Sequence, residues 1–541
     1  MQAGFSSVSD LSHSFPIVPN MQNGQPFIRL HPADNVVIAA RTIPAGTQLQ
    51  ITDQTSIVVF TEINIGHKIA VKPIERSQPI LKYGEVIGEA TVQIKPGDWV
   101  HSHNLHMTPL NDEYEKSTAV PVSPKPITGR TFQGYRRSGR SGAGTRNYLV
   151  VISTVNCSAS VSKYVARHFT PEKLKAYPNV DGVFAITHQS GCGLALQGSI
   201  HQMLNRCLGG FARHPNVGGY LLIGLGCEQN APGILMSEQN LVQITGTANS
   251  HNGTQRSAPL VLTMQDMGGT SRTVEAGIAA VESMLPQVNA IQREPIPVSE
   301  IIVGTECGGS DGSSGATANP ALGYAADLLV ACGGTAILSE TSEIYGAEHL
   351  LTRRAVTPAV ADKLIERIKW WQWYVGIFGE QLDNNPTLGN KAGGLTTIAE
   401  KSLGAIAKGG TTALRDVYQY AEPVREKGFV IMDTPGFDPP SVTGMVAGGA
   451  NVVVFTTGRG SCFGCKPVPS IKVASNTPMY SRMEADMDIN AGTILEGETV
   501  AQVGERIFEE IIAVASGKQT KSEQLGIGDD EFVPWTVGPV L

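Results

Sequence analysis

Residues 148–157 read YLVVISTVNC, a short run of apolar and β-branched residues without a charge that ends on Asn156 and Cys157. Such a run reads as a strand buried on both faces, the pattern of a parallel sheet covered by helices. The same arrangement recurs at VDGVFAIT (180–187) and GGYLLIGLG (218–226), each running into a polar loop that carries a cysteine. Helical stretches follow several of these runs, and strand-loop-helix alternation argues for parallel α/β architecture. Ligands of open parallel sheets bind beyond the carboxyl ends of the strands, so chemistry is expected in these loops. A second unit opens with EIIVGTECGGSDG (300–312), passes through a helix-like stretch at Ala321–Ala331, and returns with GFVIMDTPG (428–436) and NVVVFTTGRG (451–460).

The chain looks different upstream of Gly134. IRL, NVVIAA, IVVF, HKIAV, EVIGEATVQI and DWVHSH are short β-rich segments between Phe27 and His106, separated by the turn sequences PAGT, KYGE and KPGD. They predict a small all-β module. The proline-rich, aperiodic stretch after it reads as a tether. The expected organisation is an extension at 1–26, flexible by composition, a β module at 27–107, a linker at 108–131, and two α/β regions at 132–297 and 298–541. At 541 residues the chain is too long for a single ordinary core.

Composition narrows the function classes. A formal net charge of −7 with no basic run leaves no electrostatic footprint for nucleic acid or an anionic membrane surface. The N-terminus lacks a secretory pattern and no segment approaches a membrane span, so a cytoplasmic location is expected. The 8 cysteines suit metal binding or chemistry in a reduced chain better than disulfides. P-loop, HExxH and strand-linked GxGxxG motifs do not occur. A small-molecule enzyme is the reading that remains, with a homodimer as the default assembly.

The strand-end loops supply its candidates. His188, Cys192, Cys227, Glu228, Glu306 and Cys307 form a pool of imidazole, thiolate and carboxylate groups suited to a transition metal, from which one ion takes only some. An alternative is an iron–sulfur cluster on Cys157, Cys192, Cys227 and Cys307. The plain counter-reading makes each cysteine a small apolar filler under a tight turn. His31, His67 and Lys68 are acid/base candidates, provided that the β module folds over the α/β loops, since imidazole takes and returns protons near neutrality. Arg146, Asn156, Lys391 and Arg459 are candidates for holding carboxylate and hydroxyl groups. The Cys462/Cys465 CxxC pair has neither a second pair nor a redox-type context, and its signal is poor.

Taken in order, GHKIAV, LKYGEVIG, the run from Gly142 through TRNYLVVISTVNCSAS, HQSGCG, IGLGCE, ECGGSDGSSGATANPALGYAADLLV, NNPTLGNKAGGLTTIAEKSLGAIAK, TTGRG and MDINAG resemble the altronate/galactarate dehydratase family. The resemblance runs from about Phe27 to the C-terminus. It implies a β-clip (SAF-type) N-terminal domain followed by the two α/β regions. It also implies dehydration of a hexonate or hexarate to a 2-keto-3-deoxy acid, with a divalent metal, iron(II) first and manganese(II) second. A sulfo-lyase acting on a sulfonated hydroxy acid, and a non-catalytic sugar-acid-binding protein, are the competing readings.

Overall fold

A computed structural model describes residues 25–108, 113–137, 142–245, 255–257, 260–536 and 538. All but the last two residues of the expected 1–26 extension lie outside the described residues.

The β module is antiparallel throughout. Its main sheet has the order Phe27–Ile28, Val36–Ala39, Lys68–Ala70, Trp99–Val100, with smaller sheets of Gln48–Thr52 with Thr55–Val58 and of Pro79–Lys82, Glu85–Ala90 and Leu105–His106. Four buried isoleucines organise it: Ile43 bridges Ile63 and Ile74 bridges Ile94, each just before a turn. One apolar residue per turn thus closes a core too small for long strands.

After the module, the described part of the linker lies along the large α/β domain. Ser117 and Ala119 donate backbone N–H groups to Thr352 and Arg353, and the Tyr114 hydroxyl donates to Glu348. It is a pinned strap rather than the free tether its composition suggests. The strand Thr131–Arg136 then pairs antiparallel with Glu294–Pro297, tying the entrance of the middle domain to its exit.

Both α/β sheets are parallel, as the uninterrupted apolar runs require. The middle sheet has the order Gly182–Ile186, Tyr148–Ser153, Val217–Gly224, Leu260–Thr263. The large sheet runs Leu414–Tyr418, Gly428–Met432, Thr335–Leu338, Ile302–Cys307, Val452–Thr457, Ser470–Ala474, Ile489–Asn490. Its inner strands are buried at nearly every position. Helix Ala318–Ala331 is buried almost all round, which explains why it lacks a polar face. Three strands are laid on one side of Ile302–Cys307 before the chain crosses to the other side at Val452. The crevice at that reversal is where an open α/β sheet binds ligands.

Shared cores join the three parts. Leu204 and Phe211 of the middle domain pack with Val442 and Met445 of the large one. Ile80, Tyr83 and Ile87 of the β module pack with Leu351, Leu403 and Ile406. All eight cysteines are unpaired. Among the described residues no helix is long and apolar enough to cross a membrane.

Candidate active site

Strands beside the reversal end on acids. Ile302–Cys307 delivers Glu306, Thr335–Leu338 runs into Ser339 and Glu340, and Asp438 opens the helix Asp438–Gly448 that follows Gly428–Met432. Single oxygens of Glu306, Glu340 and Asp438 lie within 4.8 Å of one another, the one such group of His, Cys, Asp or Glu among the described residues.

Glu306 and Glu340 are each held by one oxygen. Glu306 Oε2 accepts from Ser339 Oγ at 3.0 Å and Ser441 Oγ at 2.7 Å, while Oε1 is buried without a hydrogen-bond partner. Glu340 Oε2 accepts from Lys408, and its Oε1 is again buried and unpartnered. Nearby Glu343 accepts from Lys401 Nζ at 2.6 Å and Asn385 Nδ2 at 2.8 Å through Oε1, leaving Oε2 without a partner. A buried oxygen left unpaired costs about 1–3 kcal/mol, so three in one crevice call for a ligand that supplies positive charge. Glu340 also occupies the left-handed region at φ 64°, a strained conformation for a glutamate.

Electrostatics point the same way. Burial, then the neighbouring Glu340 and Asp438 carboxylates, push the Glu306 carboxyl well above the usual range. Burial raises Glu340 to about 8 and Asp438 to about 6. Burial opposes the charge of Lys408, but Glu340, Cys307 and Glu306 hold its ammonium above the ordinary value. The cluster therefore resists carrying all its negative charge unless a further cation joins Lys408.

At the mouth, the position of Gly308 is flanked by the Asp438 carboxylate and the Phe455 ring, and that of Gly309 by Thr457 and Arg459. The loop holding Lys391 closes over this rim: Asn390 Nδ2 donates to Ser310 O, and Gly312 N–H to Gly393 O, both at 2.8 Å. Neither Lys391 nor Arg459 forms an ion pair among the described residues, and the Arg459 side chain lies against Gly309 and Gly393 at this rim. The β module does cover the loops. Gly66 rests on Ser313 and Gly393, and Lys68 Nζ reaches Gly394 O at 2.7 Å.

These contacts engage several of the expected site residues. Lys68 is fully buried, with its three N–H groups directed to Gly394 O and both oxygens of Glu400, which also binds Lys82 Nζ at 2.7 Å. It is a latch between domains, not a free acid or base. His67 accepts from Trp99 Nε1 through Nδ1 at 3.1 Å and faces Ala392 O through Nε2 at 3.3 Å, so both ring nitrogens are engaged. His31 closes a turn, its Nδ1 accepting from Ala33 N–H and its own N–H donating to Asp34. Arg146 spends all five N–H groups on Glu523, Thr145 O, Val514 O and Lys518 O. It fastens the middle domain to the C-terminal helices, with each N–H group engaged in that contact.

The pool of six metal candidates divides between two sheets. His188 is neutral and occupied, Nε2 on Ser153 O and Nδ1 accepting from Ser190 N–H, with burial lowering its pKa to about 4. Glu228 braces its own turn by accepting from Thr154 Oγ1, Leu225 N–H and Gly226 N–H. Cys192 and Cys227 are exposed in the middle domain, as are Cys157 and Asn156. Cys307 is buried in the large sheet with its Sγ 2.6 Å from Ser310 Oγ, which splits the four-cysteine set three to one. Only Glu306 of the six joins the carboxylate group. Glu340, Glu343, Asp438 and Lys408 escaped sequence reasoning, although Glu340 sits directly after a predictable strand in TAILSE.

Family models match three consecutive stretches: an altronate/galactarate dehydratase SAF domain at 25–108, the second domain of D-galactarate dehydratase/altronate hydrolase at 134–289, and a D-galactarate/altronate dehydratase C-terminal domain at 298–540. The chain belongs to the altronate/galactarate dehydratase family. A galactarate dehydratase (L-threo-forming) of Escherichia coli K12 is 39% identical over 93% of this chain and 95% of its own. An altronate dehydratase of Bacillus subtilis 168 is 35% identical over 92% of this chain and 96% of its own. The β subunit of a (2R)-sulfolactate sulfo-lyase from Chromohalobacter salexigens is 30% identical over 74% of this chain and 96% of its own. Family membership places the chain among the hydro-lyases, and the SAF domain is the antiparallel module that covers the crevice.

Proposed function

We propose that this family member removes water from a sugar acid of the altronate or galactarate kind, giving a 2-keto-3-deoxy acid, with a divalent cation held by Glu306, Glu340 and Asp438. The observation that carries the reading is the pair of buried, unpartnered oxygens on Glu306 and Glu340 at the strand-order reversal. Three carboxylates fit a hard cation, manganese(II) or iron(II), better than a thiophilic one. When bound, the cation supplies Lewis-acid stabilisation of the charge that develops on the substrate carboxylate as the α-proton leaves.

The remaining work falls to the chain's own groups. Arg459 and Lys391 meet substrate carboxylate at the rim through charge-assisted hydrogen bonds. Glu343, fixed by Lys401 and Asn385 with Oε2 open, accepts the α-proton. Lys408 keeps its charge and balances the oxyanion, while the SAF domain keeps bulk water from the crevice. His67 and Lys68 serve this reaction by holding that cover in place.

The test is an anaerobic assay of chelator-stripped protein with iron(II) or manganese(II) across hexonates and hexarates. Metal-dependent 2-keto-3-deoxy acid from one stereoisomer is expected. Glu306→Gln and Glu340→Gln should each lower turnover by roughly a thousand-fold, in line with loss of a key electrostatic group, and weaken metal binding. Full turnover without metal, or in Glu306→Gln, would refute the site. Sulfite release from sulfolactate, with no sugar acid dehydrated, would favour the sulfo-lyase reading instead.

A further inference from the structure

The middle domain carries a second constellation that the carboxylate site does not use. Cys157, Cys192 and Cys227 lie in the loops that leave three adjacent parallel strands, Tyr148–Ser153, Gly182–Ile186 and Val217–Gly224. All three are exposed, whereas Cys207, Cys307 and Cys465 are buried. A cysteine used as apolar filler is buried, so three exposed at one sheet end argue against that role.

The loops are laced together. Asn156 N–H donates to Ser190 O at 2.9 Å and Asn230 N–H to Gly191 O at 3.0 Å, while Asn230 Nδ2 reaches Thr154 O at 3.2 Å. Each bond joins loops that carry different cysteines. Gly191 adopts φ 101°, and a Cβ there would stand 2.5 Å from Thr154 O, so only glycine lets the Cys192 loop press against the Cys157 loop. These backbone devices hold the three cysteine-bearing loops against one another at one end of the sheet.

We propose that Cys157, Cys192 and Cys227 bind an iron–sulfur cluster, leaving one iron without a cysteine ligand and open to an oxygen donor. Spacing separates this from a single ion. Tetrahedral zinc brings its thiolates to about 3.8 Å from one another, and the carboxylates are the one group of three gathered within 4.8 Å among the described residues. Adjacent strands lie about 4.8 Å apart, which sets thiols on three successive strand ends at the wider span of a cluster. Assembly takes two iron(II) ions, two iron(III) ions and four inorganic sulfides from solution, so no electron is gained or lost, and each thiol releases one proton to water as its sulfur–iron bond forms.

The test is spectroscopic and independent of turnover. Full-length protein is reconstituted anaerobically with equal amounts of iron(II) and iron(III) and with sulfide, desalted, and assayed for visible charge-transfer absorbance, iron and acid-labile sulfide. Roughly four iron and four sulfide per chain are expected. Cys157→Ser, Cys192→Ser and Cys227→Ser should each lose most of the colour. Cys332→Ser and Cys462→Ser should keep it, as should Glu306→Gln, which separates this inference from the carboxylate reading. Alkylation followed by mass spectrometry gives a second readout without variants, with reconstitution protecting the three thiols. Metal bound without sulfide, no colour in folded wild-type protein, or protection of other cysteines would overturn the proposal.

Discussion

His67 shows what burial does to one residue here. Burial first, then the Lys68 ammonium and His101, lower its pKa from 6.5 to about 4, and burial lowers His188 to about 4 against the hydrogen bond to Ser153 O. For both, the folded pKa is depressed, so the unfolded chain binds more protons between pH 6.5 and 4. Their contribution to stability is complete above pH 6.5 and is lost as pH falls through that window. A shift of this size corresponds to on the order of 3 kcal/mol per histidine at the acid end. The urea midpoint should fall from pH 7 to pH 4.5, and His67→Gln should shrink the fall. An equal acid loss in His67→Gln would remove His67 from the account. The histidine was visible in GHKIAV, and its role was not, because a motif does not say whether both ring nitrogens are already engaged.

At the scale of elements, the contact between the SAF domain and the loop after Ile302–Cys307 decides whether the crevice is covered. A Cβ on Gly312 would stand 1.9 Å from Gly66 O, a clash of side chain with backbone that no rotamer relieves. Gly312→Ala should therefore lift the SAF domain from the loop and reduce kcat/KM by at least about ten-fold, an order set by displacing catalytic geometry by an ångström or so. Circular dichroism should stay near wild type. Wild-type kinetics in Gly312→Ala would show that cover and crevice act separately. The strands themselves were legible, since YLVVIST and NVVVFTT have no polar position to spare for solvent. Their order was not legible, because a buried parallel strand shows the same apolar run whichever neighbour it has.

For the whole molecule, one buried ion cluster stands between the SAF domain and the large domain. Burial opposes the charge on Glu400, but Lys68 and Lys82 hold its carboxyl below the ordinary range, and burial lowers Lys68 to about 8 despite Glu400. Glu400→Gln leaves two ammonium groups buried without a counter-charge, at about 3–5 kcal/mol. It should lower the melting temperature and expose the linker to protease earlier than the middle domain. Unchanged melting would mean that the shared apolar core, Tyr83 and Ile87 against Leu403 and Ile406, carries the docking unaided.

The sequence by itself determined the all-β module, the two parallel sheets, the family and the loops where chemistry would lie, because strand burial, turn residues and ordered motifs are local properties. The tertiary fold settles which polar groups remain available. It engaged Lys68, His67, His188, Arg146 and Glu228 in folding contacts, and left oxygens of Glu306, Glu340 and Glu343 unpaired beside Lys408. The reason is that availability is set by partners far along the chain: Lys68 meets a carboxylate 332 residues away, and Arg146 one 377 residues away.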